Sequence, residues 1–191
     1  MFSPAAERNK EPIRKTLRSL LPQSGLLLEL ACGSLQHARH IAPDHPGLIW
    51  QPTDIDPHVI SHGRQLQMPD NVRVPVFLDV LQPDWPIPEA DVIFTSNLLH
   101  ICDAAVICAL FTGGRDIGVH DVLIYGPFSR NGVQTSEGNV QFDADLSRRN
   151  PSWGIRDLRD VQNAGEGAGF TLTNSIEMPA NNLLLYFTRA R

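Results

Sequence analysis

The sequence predicts an α/β fold: a mostly parallel seven-stranded sheet that ends in an antiparallel hairpin, with helices on both faces. Three observations carry this. Apolar runs of strand length recur along the chain and alternate with stretches of helical period. Such alternation implies βαβ units, whose crossovers leave neighbouring strands parallel. The last two strands are separated only by Met178-Pro179-Ala180-Asn181-Asn182, too short a link for a crossover, so these two run antiparallel.

Each element has its own signal. Residues 11–21 set Ile13, Leu17, Leu20 and Leu21 at helical spacing, with Pro12 suited to a first turn. Residues 26–30, bounded by Ser24-Gly25 and Cys32-Gly33, read as a buried strand, and 35–42 as the helix after it. A second strand spans 48–53. Asp56-Pro57 then reads as an N-cap with a first-turn proline, opening a helix to about residue 67. Residues 72–78 and 91–96 are the third and fourth strands, Asp103 caps an apolar helix over 104–111, and 122–125 is the fifth strand. The polar stretch 126–156 holds a short helix near 139–148. Residues 156–168 are helical with Gly169 as the C-cap, and 171–177 and 183–188 are the final strands. A parallel sheet closed by a hairpin is the outline of the common methyltransferase fold rather than of a dehydrogenase.

At 191 residues, with no repeat and no linker-like shift in composition, the chain is expected to form a single domain over 1–191. A hydrophobic fraction of 42% and a charged fraction of 19% describe an ordinary globular protein. The net charge of −5 argues against a broad nucleic-acid footprint. Cys32, Cys102 and Cys108 are an odd set without metal or disulfide spacing, which points to a reducing, cytoplasmic setting. The N-terminus is charged from Glu7 onward and lacks an apolar segment, so no signal peptide is expected, and no apolar run is long enough to cross a bilayer.

In open α/β sheets ligands sit beyond the carboxyl ends of the strands. The first strand ends in Glu29-Leu30-Ala31-Cys32-Gly33-Ser34, the second at Asp54, the third at Asp79 and the fourth at Asn97, with His100 shortly after. A carboxylate after strand two can accept from both ribose hydroxyls, and one after strand three from an adenine amino group. A small-residue turn after strand one lets the backbone approach an amino-acid moiety. Asp54 and Asp79 also read as turn formers, Asp56 reads better as a helix cap, and Gly33 and Ser34 suit any tight turn. Glu29 stands out, because a carboxylate inside an apolar strand must find partners. His37 and His40 share a helix face, but no carboxylate completes a ligand set with them, so they read as surface or turn-facing and no metal is expected. Cys32 reads as a packing residue.

The segments SPAAERNKEPI, LELACGSLQH, WQPTDID, NLLHI, LIYGPF, NPSWGIRDL and MPANNLLLYF resemble, in order, the family of methyltransferase-like protein twenty-six, from Ser3 to about Arg189. The resemblance implies a class I, Rossmann-like, S-adenosylmethionine-dependent methyltransferase. It implies that Glu29, Ala31, Gly33, Ser34 and Gln36 form the first cofactor loop, that Asp54 meets the ribose and Asp79 the adenine, and that Asn97 and His100 line the pocket. The chain departs from the family pattern at Leu35, where a glycine is usual, and in the GGRDIGVHD stretch at 113–121. A leucine at positive φ costs about 1 kcal/mol, and its side chain is placed to crowd the cofactor.

The expected reaction is methyl transfer to a small-molecule acceptor. His100 and Tyr125 are the candidate bases, and Asn181 and Asn182 the groups that orient the acceptor. The 126–156 segment, with Arg130, Asn139 and Trp153, is expected to form a lid or substrate wall. Two rival readings are a non-catalytic cofactor-binding or interaction module, motivated by Leu35, and an NAD-dependent oxidoreductase, disfavoured by the absence of GxGxxG.

Overall fold

The computed structural model describes residues 1–190 and has the α/β architecture that the sequence predicts. The elements run α1 (Pro4–Leu17), β1 (Gly25–Leu30), α2 (Gln36–Ile41), β2 (Leu48–Asp54), α3 (Pro57–Gly63), β3 (Val76–Phe77) and β4 (Val92–Ser96). There follow α4 (Ala105–Asp116), β5 (Asp121–Ser129), α5 (Glu137–Arg149), β6 (Arg156–Asp157), α6 (Leu158–Gly167), β7 (Thr171–Met178) and β8 (Asn182–Thr188).

The sheet order is β3-β2-β1-β4-β5-β8-β7. Pairs from β3 through β5 are parallel, and β8 runs antiparallel to both β5 and β7. The order reverses beside β1, so the carboxyl ends of β1 and β4 open a crevice at the switch point. The two-residue β6 is an eighth strand, parallel to the end of β5, where the sequence predicted the first turn of a helix.

Strand alternation divides the apolar residues between two cores. Leu27, Val92, Phe94 and Leu123 face α1 and α2 and meet Ile13, Leu17, Ala38 and Ile41. Leu28, Ile93, Val122 and Ile124 face the other way and meet Leu110 and Phe111 of α4 and Val161 of α6. Both faces of the parallel strands are covered, which explains why they read as continuous apolar runs rather than alternating ones. Among the described residues no helix is long and apolar enough to cross a membrane.

Several boundaries differ from expectation, each for a physical reason. α1 begins at Pro4, where Ser3 accepts a hydrogen bond from the Ala6 amide, so Pro12 lies inside the helix rather than in its first turn. β3 shrinks to two residues because Pro75 has no N–H for the ladder, and Val72 keeps only an isolated bridge to Trp50. α4 runs on through Gly113 and Gly114, which leave room for its neighbours: a Cβ on Gly113 would lie 2.3 Å from the Trp85 ring. β5 continues to Ser129, since β8 pairs with it past Tyr125 as far as Pro127.

Candidate functional site

The crevice is built from the turns that follow β1 and β4. The hydroxyls of Thr53 and Thr95 donate to the carbonyls of Glu29 and Leu30 at 2.8 and 2.9 Å, fixing the end of β1 to its neighbours. The chain then turns through Ala31 (φ 56°), Gly33 (φ 52°) and Leu35 (φ 61°). Asp54 holds this loop: its carboxylate accepts from the Gly33 amide and, in its own turn, from the Asp56 amide, both at 2.9 Å. Asn97, after β4, also has positive φ (61°), and its amide donates to the Tyr125 carbonyl at 2.8 Å. Left-handed backbone at non-glycine residues costs about 1–2 kcal/mol per residue and gathers at ligand sites. Ala31, Asn97 and Ala180 (φ 59°) all border the same cavity.

Leu35 adopts the strained conformation the sequence suggests, but its side chain does not reach the open side of the loop after β1. It is fully buried among Cys32 and Val59, and it lies over Gly63 of α3, where a Cβ would come within 2.8 Å of Leu35 Cδ1. The expected crowding is therefore corrected. α3 gives up side-chain volume at Gly63 and takes Leu35 in.

Beneath the loop lies a buried polar chain. Glu29, 2% exposed, accepts from Trp50 Nε1 at 2.7 Å, and its other oxygen is 4.0 Å from His37 Nδ1. Burial pushes its carboxyl up to about 8, against the lowering effect of Trp50 and with Asp54 adding to the rise, so the side chain is protonated at neutral pH. His37 Nε2 bonds Asn9 Oδ1 at 2.8 Å, and burial holds its imidazole down at about 4. His37 is thus a core histidine rather than the surface or turn-facing group expected, whereas His40 stays partly exposed and pairs with Glu11 of α1 (2.9 Å). Asn9 in turn faces the Tyr125 hydroxyl, which burial shifts upward. Cys32 is buried with its thiol pushed well up, in keeping with packing.

Above the loop is a cavity of about 940 Å3. Ala31, Gly33, Ser34, Asn97, His100 and Tyr125 all line it. The His100 ring stands edge-on to Phe142 of α5 with centroids 5.3 Å apart. Burial, helped by the Arg156 charge, lowers its imidazole to about 4, so its nitrogens are uncharged at neutral pH. Among the described residues neither ring nitrogen makes a hydrogen bond. Arg156 braces the segment that carries His100, donating to the carbonyls of Leu99 (2.9 Å) and Cys102 (2.5 Å).

Other predicted residues fall elsewhere. Gln36 turns away from the cavity and ties α2 to α1, accepting from the Ser3 amide and donating to Glu7, each at 2.7 Å. Asn181 is exposed, and its neighbour Asn182 is the one on the cavity wall; the reason is the left-handed pair Ala180-Asn181, which redirects the hairpin. Asp79 lies outside the cavity and caps its own turn, accepting from the Leu81 amide at 3.0 Å. Of the expected lid residues, Asn139 lines the wall, whereas Arg130 pairs with Glu177 and Trp153 sits outside the lining. Sequence reasoning missed α1 as the opposite wall, with Arg8, Asn9 and Pro12 facing in. The PAAERNKEP pattern carries no catalytic signal; only the one-face spacing of Ala5, Arg8, Asn9 and Pro12 could have drawn attention to it.

The strand order, terminal hairpin and crevice define a Rossmann-like fold of the methyltransferase class. Human N-acetylserotonin methyltransferase in complex with SAM matches with a TM-score of 0.81 at 14% identity, over 98% of this chain and 53% of that one. CalO1, a methyltransferase of calicheamicin biosynthesis in its SAH-bound form, matches at 0.73 and 18%, over 89% and 50%. Magnesium protoporphyrin IX methyltransferase from Synechocystis PCC 6803 with bound SAH matches at 0.72 and 12%, over 96% and 83%. The chain thus spans about half the length of the first two. Residues 1–189 match the family described as "Protein of unknown function (DUF938)", and the chain belongs to that family.

Proposed function

We propose that the protein transfers a methyl group from S-adenosylmethionine to a small-molecule acceptor bound between α1, α5 and the strand ends. The observation that carries this is the strained, small-residue loop after β1 opening onto a cavity lined by the uncharged His100. The donor set suits the cofactor: no side chain larger than serine faces the cavity from Gly33-Ser34, and beside the lining Asp54 closes β2 while Asp79 lies two residues past β3. When bound, S-adenosylmethionine supplies an electrophilic methyl on its sulfonium and leaves as S-adenosylhomocysteine.

The chain's own groups then do three things. Ala31–Ser34 and Asn97 would hold the amino-acid portion, Asp54, which fixes this loop through the Gly33 amide, would meet the ribose at its edge, and Asp79, outside the cavity, would meet an adenine that extends past β3. Glu29, neutral and buried, supports the loop from beneath. α1 and α5 keep water from the acceptor, whose alignment with the methyl is worth about 7–11 kcal/mol in such reactions. His100 takes the proton as the acceptor hydroxyl becomes an ether oxygen, and Tyr125 and Asn182 orient the acceptor. The resemblance to the methyltransferase-like protein twenty-six family supports the same reading. Because Leu35 packs under α3, the steric argument for a non-catalytic module is removed.

Ligand-dependent melting tests the cofactor. S-adenosylhomocysteine at a hundredfold over its Kd stabilises by about 2.7 kcal/mol, or about 5–10 °C for a domain of this size. NAD gives no shift. The reverse pattern refutes the proposal. Small-molecule extract incubated with methyl-labelled cofactor, followed by mass spectrometry of labelled products, tests the transfer itself.

A further inference from the structure

We infer that the methyl acceptor is an organic anion, gripped through a carboxylate or phosphate by Arg8 and Arg149; this rests on the methyl-transfer reading above. The chain as a whole is acidic, with 21 Asp and Glu against 16 Lys and Arg. The cavity inverts that balance: among the described residues its lining includes Arg8 and Arg149 and no Asp or Glu.

Among the described residues neither guanidinium has an ionic or hydrogen-bonding partner. Arg8 is exposed on the side of α1 that borders the cavity, and the acids beside it are committed elsewhere. Glu7 pairs with Lys10 (2.5 Å) and Gln36 (2.7 Å), and Glu11 with Arg14 (2.8 Å) and His40 (2.9 Å). The Arg8 charge opposes the upward effect of burial on the Tyr125 hydroxyl. Arg149 ends the inward face of α5, where Phe142 and Leu146 precede it at helical spacing. Asp145, one turn before it, is held by Arg148. Trp153 supports the Arg149 guanidinium from one side, 5.1 Å from the ring centroid, and leaves its hydrogen-bonding edge open. Among the described residues no hydrogen bond or ion pair reaches either group.

Two unpaired guanidiniums on that concave lining focus a positive potential and present planar forks that match oxyanions. An amine or quaternary ammonium acceptor would be repelled. Phe142 beside His100 lies seven residues, about 10 Å of helix, from Arg149, so the anionic group binds away from the methylated atom.

The test uses the full chain. A small-molecule extract is split on an anion exchanger into retained and unretained pools, and each is incubated with methyl-labelled S-adenosylmethionine. The expected result is labelled product from the retained pool. Arg8→Gln and Arg149→Gln then raise KM for that acceptor at least tenfold and leave the Kd for S-adenosylhomocysteine unchanged. Label arising only from the unretained pool, or an unchanged KM in both variants, overturns the inference. A weakened Kd for S-adenosylhomocysteine in the variants also overturns it, since the arginines then serve the cofactor's own carboxylate. Failure of the unaltered chain to bind S-adenosylhomocysteine, or to label either pool, defeats the methyl-transfer reading itself.

Discussion

Replacing Glu29 with Gln removes a titration buried under the loop after β1. The folded carboxyl sits at about 8, whereas the unfolded one takes the ordinary value of 4.5. Between those values the folded chain keeps a proton that the unfolded chain releases. The native protein therefore loses stability as pH rises, by about 1.4 kcal/mol per unit, with a ceiling of about 5 kcal/mol by pH 8. The stabilising proton is fully held below pH 4.5 and lost through pH 8. Gln keeps an acceptor for Trp50 Nε1 and never ionises. Urea unfolding of both proteins at pH 5, 6, 7 and 8 measures the difference, and His37 and His100 titrate in both, so they cancel. The expectation is near-equal stability at pH 5 and a variant more stable by several kcal/mol at pH 8. Parallel curves across that range would refute the account of Glu29 as a buried, neutral acid.

Three further changes separate the roles of neighbouring residues. His100→Ala should lower kcat about 10²–10⁴-fold with the S-adenosylhomocysteine Kd unchanged; in the unaltered enzyme this group is active when uncharged, so activity falls as pH drops through about 4. Unchanged turnover removes it as the base. Leu35→Gly relieves a left-handed leucine, a gain of about 1 kcal/mol, but empties a fully buried site, a loss of about 2–5 kcal/mol, so calorimetry should show a lower Tm; a higher one would contradict the packing against Gly63. Arg156→Met removes the guanidinium donors from the Leu99 and Cys102 carbonyls, leaving Leu99 only the weak Cys102 thiol, which costs about 1–3 kcal/mol and lowers kcat by letting the His100 segment shift. A stability loss with kcat unchanged would show that Arg156 only braces the fold.

Much of the fold was legible in the sequence because it depends on local period. The runs at 26–30 and 122–125 are apolar enough to be buried on both faces, and the five-residue link before β8 admits only a hairpin. The Asp56-Pro57 cap appears where expected, with Asp56 accepting from the His58 amide. Local signals failed where a distant contact overruled them, as at Gly113, where Trp85 fills the space of a side chain inside a helix, and at Pro75, which removes most of β3.

For the candidate site, the strand-end residues could be read from the sequence because topology alone places strand ends on one rim. Ala31, Gly33, Ser34, Asn97 and His100 fall on the cavity for that reason, whereas Tyr125 reaches it from the middle of a longer β5, opposite the end of β4. Tertiary structure alone decided what faces them. It turned Gln36 toward α1, exchanged Asn182 for Asn181 through two left-handed residues, and folded Leu35 into the hollow over Gly63. It also brought Arg8 and Arg149, 141 positions apart (149 − 8), to the same cavity, on α1 and α5. Periodicity reports which side of an element is buried. Which partner lies opposite depends on how the elements pack, and only the assembled chain fixes that.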